Sequence, residues 1–142
     1  MVVTVAAAAG IAAITMIEEQ GLRDGFQSEG EVMPTERKLE IVDGLVDAGV
    51  TRIQVCSFVH PKRVPQMADA EALIATLPDV EGVSYIGLLM NDRGLDRALE
   101  TKVHEIGMVV VASDTYNEKN QGVPTQDSID AWLRIGRRAA AN

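Results

Sequence analysis

Apolar and polar positions along the chain alternate between two periods. Residues 11 to 18, "IAAITMIE", form a short apolar run of strand type, and the alanines just before it suit helix equally well. "PTERKLEIVDGLVDAGV" then carries Leu39, Val42, Leu45 and Val46 at helical spacing. Pro34 and Thr35 mark the start of that helix and Gly49 its stop. "TRIQVCSFV", 51 to 59, is the clearest strand, and a short helix is predicted over 68 to 77. "GVSYIGLLM", 82 to 90, reads as another strand. Residues 94 to 107 put Leu95, Leu99, Val103 and Ile106 on one helical stripe, with His104 inside that helix. "MVVVAS", 108 to 113, is apolar enough for a strand covered on both faces. A polar loop, 114 to 124, leads to a last helix from Thr125 with Ile129, Trp132 and Leu133.

The sum is about four strand-then-helix units, an α/β chain with parallel strands and right-handed crossovers. An open doubly wound sheet and a partial (β/α)8 TIM barrel both fit that alternation. A whole barrel runs to about 250 residues, so 142 residues correspond to half of one, with sheet edges left unpaired.

Composition narrows the function. Apolar residues are 46%, charged residues 24%, and the formal net charge is -8. That balance is globular, and it argues against nucleic acid or an anionic membrane as partner, since both reward a basic footprint. One cysteine, Cys56, excludes an intrachain disulfide and fits a reducing, cytoplasmic setting. The apolar opening lacks a basic flank and is broken by Thr4, Gly10 and Thr15, so neither a signal peptide nor a membrane span is predicted.

Candidate chemistry falls at one topological position, the loops after the strands. Arg23, Asp24 and Gln27 follow the first, Ser57, His60 and Lys62 the second, Asn91 to Arg93 the third, and Ser113, Asp114, Asn117, Lys119 and Asn120 the fourth. In a parallel α/β fold these loops gather at the carboxyl ends of the strands, where ligands bind. Asp24 suits a hard divalent cation or caps a turn between Gly21 and Gly25. Arg23 can neutralise an oxyanion or pair with Glu29. His60 has no second histidine at ligand spacing, and Cys56 reads as a small buried hydrophobe.

"GLRDGFQSE", "MPTERKLEIVDGLVDAGVTRIQVCSFVHPKRVPQMAD" and "ASDTYNEKNQGVPTQDSIDAW" resemble the N-terminal half of 3-hydroxy-3-methylglutaryl-CoA lyases. These belong to a metal-dependent TIM-barrel lyase superfamily. The resemblance implies a lyase domain over 16–142, preceded by an atypical apolar segment, 1–15. It implies metal-assisted retro-aldol cleavage of an acyl-CoA thioester to acetyl-CoA and acetoacetate, with Mg2+ or Mn2+ as cofactor. Asp24 then matches the metal ligand, Arg23 the residue that holds the carbonyl or enolate oxygen, and Gln27 a residue lining the same site. Ser57, Lys62 and Asn120 match positions near the substrate. Gln54 stands where the family usually has a glutamate, which keeps open a related lyase with another acyl-CoA. The family's His-x-His, distal asparagine and catalytic cysteine belong to a second half without counterpart here. The chain is therefore expected to be inactive alone. Its association with a complementary half-barrel or a second copy, as a non-catalytic interaction protein, is the alternative.

Overall fold

The computed structural model describes the backbone of residues 2–6 and 14–142, and side chains from Met16 onward. Strands β1 (Val2–Ala6) and β2 (Ile14–Glu18) form an antiparallel pair. Strands β3 (Arg52–Ser57), β4 (Ser84–Leu88) and β5 (Glu105–Gly107) form a parallel sheet in that order. Glu19 joins the two sheets through a parallel bridge to Ile53: its N–H donates to the Arg52 carbonyl at 2.9 Å, and its carbonyl accepts from the Gln54 N–H at 2.7 Å. From β2 to β5 the chain is thus an unclosed, parallel strip of a (β/α)8 barrel, with helices in its crossovers.

Helix α1 (Thr35–Asp47) follows Pro34, whose missing N–H costs nothing at a helix start. It stops because Gly49 takes φ +83°, letting the Gly49 N–H reach the Val46 carbonyl and the Val50 N–H reach that of Leu45. Helices α2 (Ala70–Thr76) and α3 (Asp92–Leu99) flank β4 in sequence. Val42, Ile53, Val55, Phe58, Leu73 and Leu95 are buried in one core between helices and sheet. Period-2 alternation puts Arg52, Gln54, Ile86, Leu88 and Glu105 on the other face, the one a closed barrel would turn inward.

A polar brace ties α1 to the loop after β3. Lys38 is 1% exposed, and its ammonium donates to Asp69 Oδ1 at 2.6 Å and to the Gln66 carbonyl at 2.7 Å. Asp69 Oδ2 also accepts from Thr35 at 2.8 Å, while the Gln66 amide reaches the Glu29 carbonyl at 2.5 Å.

Several expectations are corrected. The helix over 94 to 107 ends at Leu99, where the Thr101 hydroxyl donates to the Ala98 carbonyl at 2.7 Å and the chain turns out. His104 is therefore not helical. Its N–H bonds the Tyr85 carbonyl and its Nδ1 accepts from the Tyr85 N–H, both at 3.1 Å, at the start of β5. The strand predicted over 108 to 113 makes no ladder and Val109 is exposed; the paired strand is 105 to 107. Helix α4 (Asp114–Gln121) stands within the predicted loop, and α5 (Thr125–Ala140) follows it as expected. The alanine run lies outside the described residues. Among the described residues, no helix is long and apolar enough to cross a membrane.

Candidate active site

The chain leaves β2 through Gln20 into a π-helical turn, Gly21–Gly25, whose Arg23 and Asp24 N–H groups both donate to the Gln20 carbonyl. Gly21 lets the Glu19 carboxylate fold back onto the entrance of the turn. Its N–H donates to Glu19 Oε1 at 2.6 Å, and a Cβ there would stand 2.8 Å from the same oxygen. This turn presents Arg23 and Asp24 at the carboxyl end of the first strand of the parallel strip.

Arg23 is 8% exposed, and all three guanidinium nitrogens are engaged. Nη1 donates to Asp24 Oδ1 at 2.7 Å, Nη2 to Gln20 Oε1 at 3.3 Å, and Nε to Gln54 Oε1. Burial pulls the guanidinium below its ordinary pKa, while Asp24 and Glu18 push the other way. Such a partly desolvated cation acts on a nearby oxyanion with less screening than one in water. Asp24 is open, its side chain 68% exposed.

The remaining sequence-predicted residues are placed differently. Gln27 is half-buried on the next turn, and its amide joins none of these bonds. Ser57, at the end of β3, is fully buried, and its hydroxyl has no hydrogen-bond partner among the described residues. Lys62 and His60 are exposed in the loop beyond. Asn120 is exposed on α4 and makes no bond to the Arg23 group. Asn117 is buried and fastens α4, donating to the Val123 carbonyl at 2.8 Å and to Ser128 Oγ at 2.7 Å. Cys56 lies in the core, where burial pushes its thiol up to about 12.

Sequence reasoning missed Glu18 and Gln20, which sit behind Arg23. The only signal was the polar run "EEQ" closing an apolar strand. It also missed the Arg52–Glu105 pair, a bidentate contact at 2.6 and 2.7 Å across the inward face.

Among the described residues, no three His, Cys, Asp or Glu side chains gather to hold a metal. Asp24 is a single carboxylate already paired with Arg23, so these residues do not by themselves fit a divalent cation.

The family model HMGL-like matches residues 14–140. The chain belongs to the HMGL-like family. Among HMGL-like relatives, a hydroxymethylglutaryl-CoA lyase of Bacillus subtilis is 38% identical over 123 residues, covering 87% of this chain and 41% of that protein. A 3-hydroxy-3-isohexenylglutaryl-CoA/hydroxymethylglutaryl-CoA lyase of Pseudomonas aeruginosa is 36% identical over 117 residues, covering 82% and 39%. The solved structure of the Bacillus subtilis HMG-CoA lyase superposes with TM-score 0.85 at 35% identity, over 89% of this chain and 42% of that one. The chain thus spans about two-fifths of the length of these relatives.

Proposed function

We propose that this chain supplies the Arg23–Asp24 corner of a carbon–carbon lyase active site acting on a 3-hydroxy acyl-CoA, hydroxymethylglutaryl-CoA being the reference substrate. The observation that carries the reading is Arg23 itself, a partly desolvated guanidinium fixed at the carboxyl end of a parallel strand beside an open carboxylate. In retro-aldol cleavage the 3-hydroxyl loses its proton and the C2–C3 bond breaks. Its electron pair moves into the thioester as an enolate, which a proton then converts to acetyl-CoA. Arg23 stabilises the oxygen on which that charge develops, and does so best where water is excluded. The family resemblance assigns Gln27, on the turn after Arg23, and Asn120, exposed on α4, to the substrate's approach. The Ser57 hydroxyl, fully buried and without a partner among the described residues, is not open to it in this arrangement. Asp24 is the carboxylate offered here to Mg2+ or Mn2+, with the other ligands coming from outside the described residues.

Completion of the fold has a place to occur. Among the described strands β5 pairs only with β4, and beside it Ile106, Met108, Trp132, Ile135 and Ala139 line a groove of about 200 Å³. Trp132 in that groove is 45% exposed, and Val109 and Leu133, next in sequence to Met108 and Trp132, are 46% and 49% exposed. A complementary half-barrel is the occupant that fits; a second copy is the other reading those apolar residues favour. Gln54 keeps a related acyl-CoA substrate in play.

The test is co-expression of this chain with the remaining portion of the Bacillus subtilis relative, followed by acetoacetate release from hydroxymethylglutaryl-CoA. Cleavage that falls about 10²–10³-fold in Arg23→Met supports the proposal. A folded complex that binds coenzyme A and cleaves nothing overturns it.

A further inference from the structure

Behind Arg23 the side chains close into a ring. Glu18 Oε1 accepts from Gln20 Nε2 at 2.8 Å and from Gln54 Nε2 at 3.2 Å. The oxygens of the same two amides accept from Arg23, Gln20 from Nη2 at 3.3 Å and Gln54 from Nε. Each amide turns its oxygen to the cation and its nitrogen to the carboxylate, the one orientation that makes both bonds. Gln54 is 4% exposed, so water competes little for its amide.

The neighbouring charges hold Glu18 in turn. Arg52 Nη2 stands 3.6 Å from Glu18 Oε2, and Arg52 is itself clasped by Glu105 from β5. Asp24 takes the remaining nitrogen of Arg23 on the open side. The guanidinium is therefore fixed from behind by two amides that converge on one carboxylate.

We propose that Gln20 and Gln54 are positioning residues, which set the plane of the Arg23 guanidinium by relaying it to Glu18. This rests on Arg23 as the group that meets the substrate oxygen. The relay has a polarity. Gln54→Leu removes both of its bonds. Gln54→Glu keeps the acceptor for Arg23 but sets a second carboxylate against Glu18. Combining it with Glu18→Gln re-forms the ring: the new amide at 18 donates to the new carboxylate at 54 and still accepts from Gln20.

Hydrogen exchange of the Arg23 Nε–H, followed by NMR on the 142-residue chain, reads the relay without substrate. Gln54→Leu should speed that exchange about tenfold or more. Glu18→Gln/Gln54→Glu should return it to near the parent rate, and Gln54→Glu alone should fall between. Arg97 Nε–H, bonded to Glu71 Oε1 at 2.6 Å on the helix side, is the internal control and should stay unchanged. Unchanged Arg23 exchange in a folded Gln54→Leu overturns the proposal. If Arg97 also loosens in that variant, the swapped pair decides: parent-like Arg23 exchange upholds the relay, and exchange as fast as in Gln54→Leu refutes it. In the co-expressed complex, Gln54→Leu should lower kcat more than it raises KM. Intact relay behaviour with no cleavage by the parent complex would refute the lyase reading and leave the relay standing.

Discussion

Removing Asp69 should cost more than removing the lysine it serves. Lys38 is 1% exposed, with its ammonium against Asp69 at 2.6 Å, whereas the Asp69 side chain keeps 22% of its surface. Asp69→Ala strands a buried cation with only the Gln66 carbonyl and leaves the Thr35 hydroxyl without its acceptor. Breaking a buried pair this way costs about 3–5 kcal/mol, and the residual exposure of Asp69 sets the value near the lower end. Lys38→Met removes the charge, keeps most of the volume, and leaves a carboxylate that water and Thr35 still reach, costing about 1 kcal/mol. With a urea slope of about 2 kcal/mol/M, Asp69→Ala moves the unfolding midpoint down by about 1.5 M. The double variant should be more stable than Asp69→Ala alone, because the stranded ammonium is gone. Urea titration by circular dichroism of the four proteins reads all of this. A cost for Asp69→Ala no greater than that for Lys38→Met would refute the reasoning.

Other outcomes follow from the same geometry. The hydrogen bonds from Arg52 and Arg97 hold the Glu105 and Glu71 carboxyls below their usual range. Their stabilisation is full above the unfolded carboxyl value of 4.5 and is lost as pH falls through the lower folded values. Melting temperature should therefore drop on acidification below that point, with a shallower drop in Glu105→Gln; an unchanged slope would count against the pair. A Cβ on Gly87 would stand 2.5 Å from the Phe58 ring, so Gly87→Ala should lose about 1–3 kcal/mol in urea unfolding, partly recovered by Phe58→Leu. Cys56, buried and raised to about 12, should resist a thiol-specific disulfide reagent at pH 8 and react once urea is added. Stoichiometric labelling of the native chain would contradict that burial.

The parts legible in the sequence are those fixed by local chemistry. Helix α1 was readable because Pro34 and Gly49 bracket a helical repeat, and β3 because an apolar, β-branched run separates two stops. The end of α3 was not. Leu95, Leu99, Val103 and Ile106 keep helical spacing across the break, but Val103 and Ile106 bury themselves from extended chain while Leu99 is 42% exposed. Helix α4 was hidden for a different reason. Its one aromatic residue, Tyr116, is exposed, and it is held by Asn117, by the αL turn at Gly122, and by Asp114 accepting from the Thr125 N–H. No hydrophobic period announces such bonds. At the site, Arg23 and Asp24 stood out because they follow a strand. Glu18 and Gln20 did not, because the residue that closes their ring with Arg23, Gln54, lies more than thirty positions away and bonds Glu18 only where the parallel bridge at Glu19 brings its strand near.

A chain that brings one corner of a lyase site, with Asp24 as a lone carboxylate paired to Arg23, leaves a cation mostly to water. Isothermal titration of the 142-residue chain with manganese reads this. Binding should be millimolar or undetectable, and unaffected by Asp24→Asn. Stoichiometric binding in the micromolar range would mean instead that the chain holds a complete cation site.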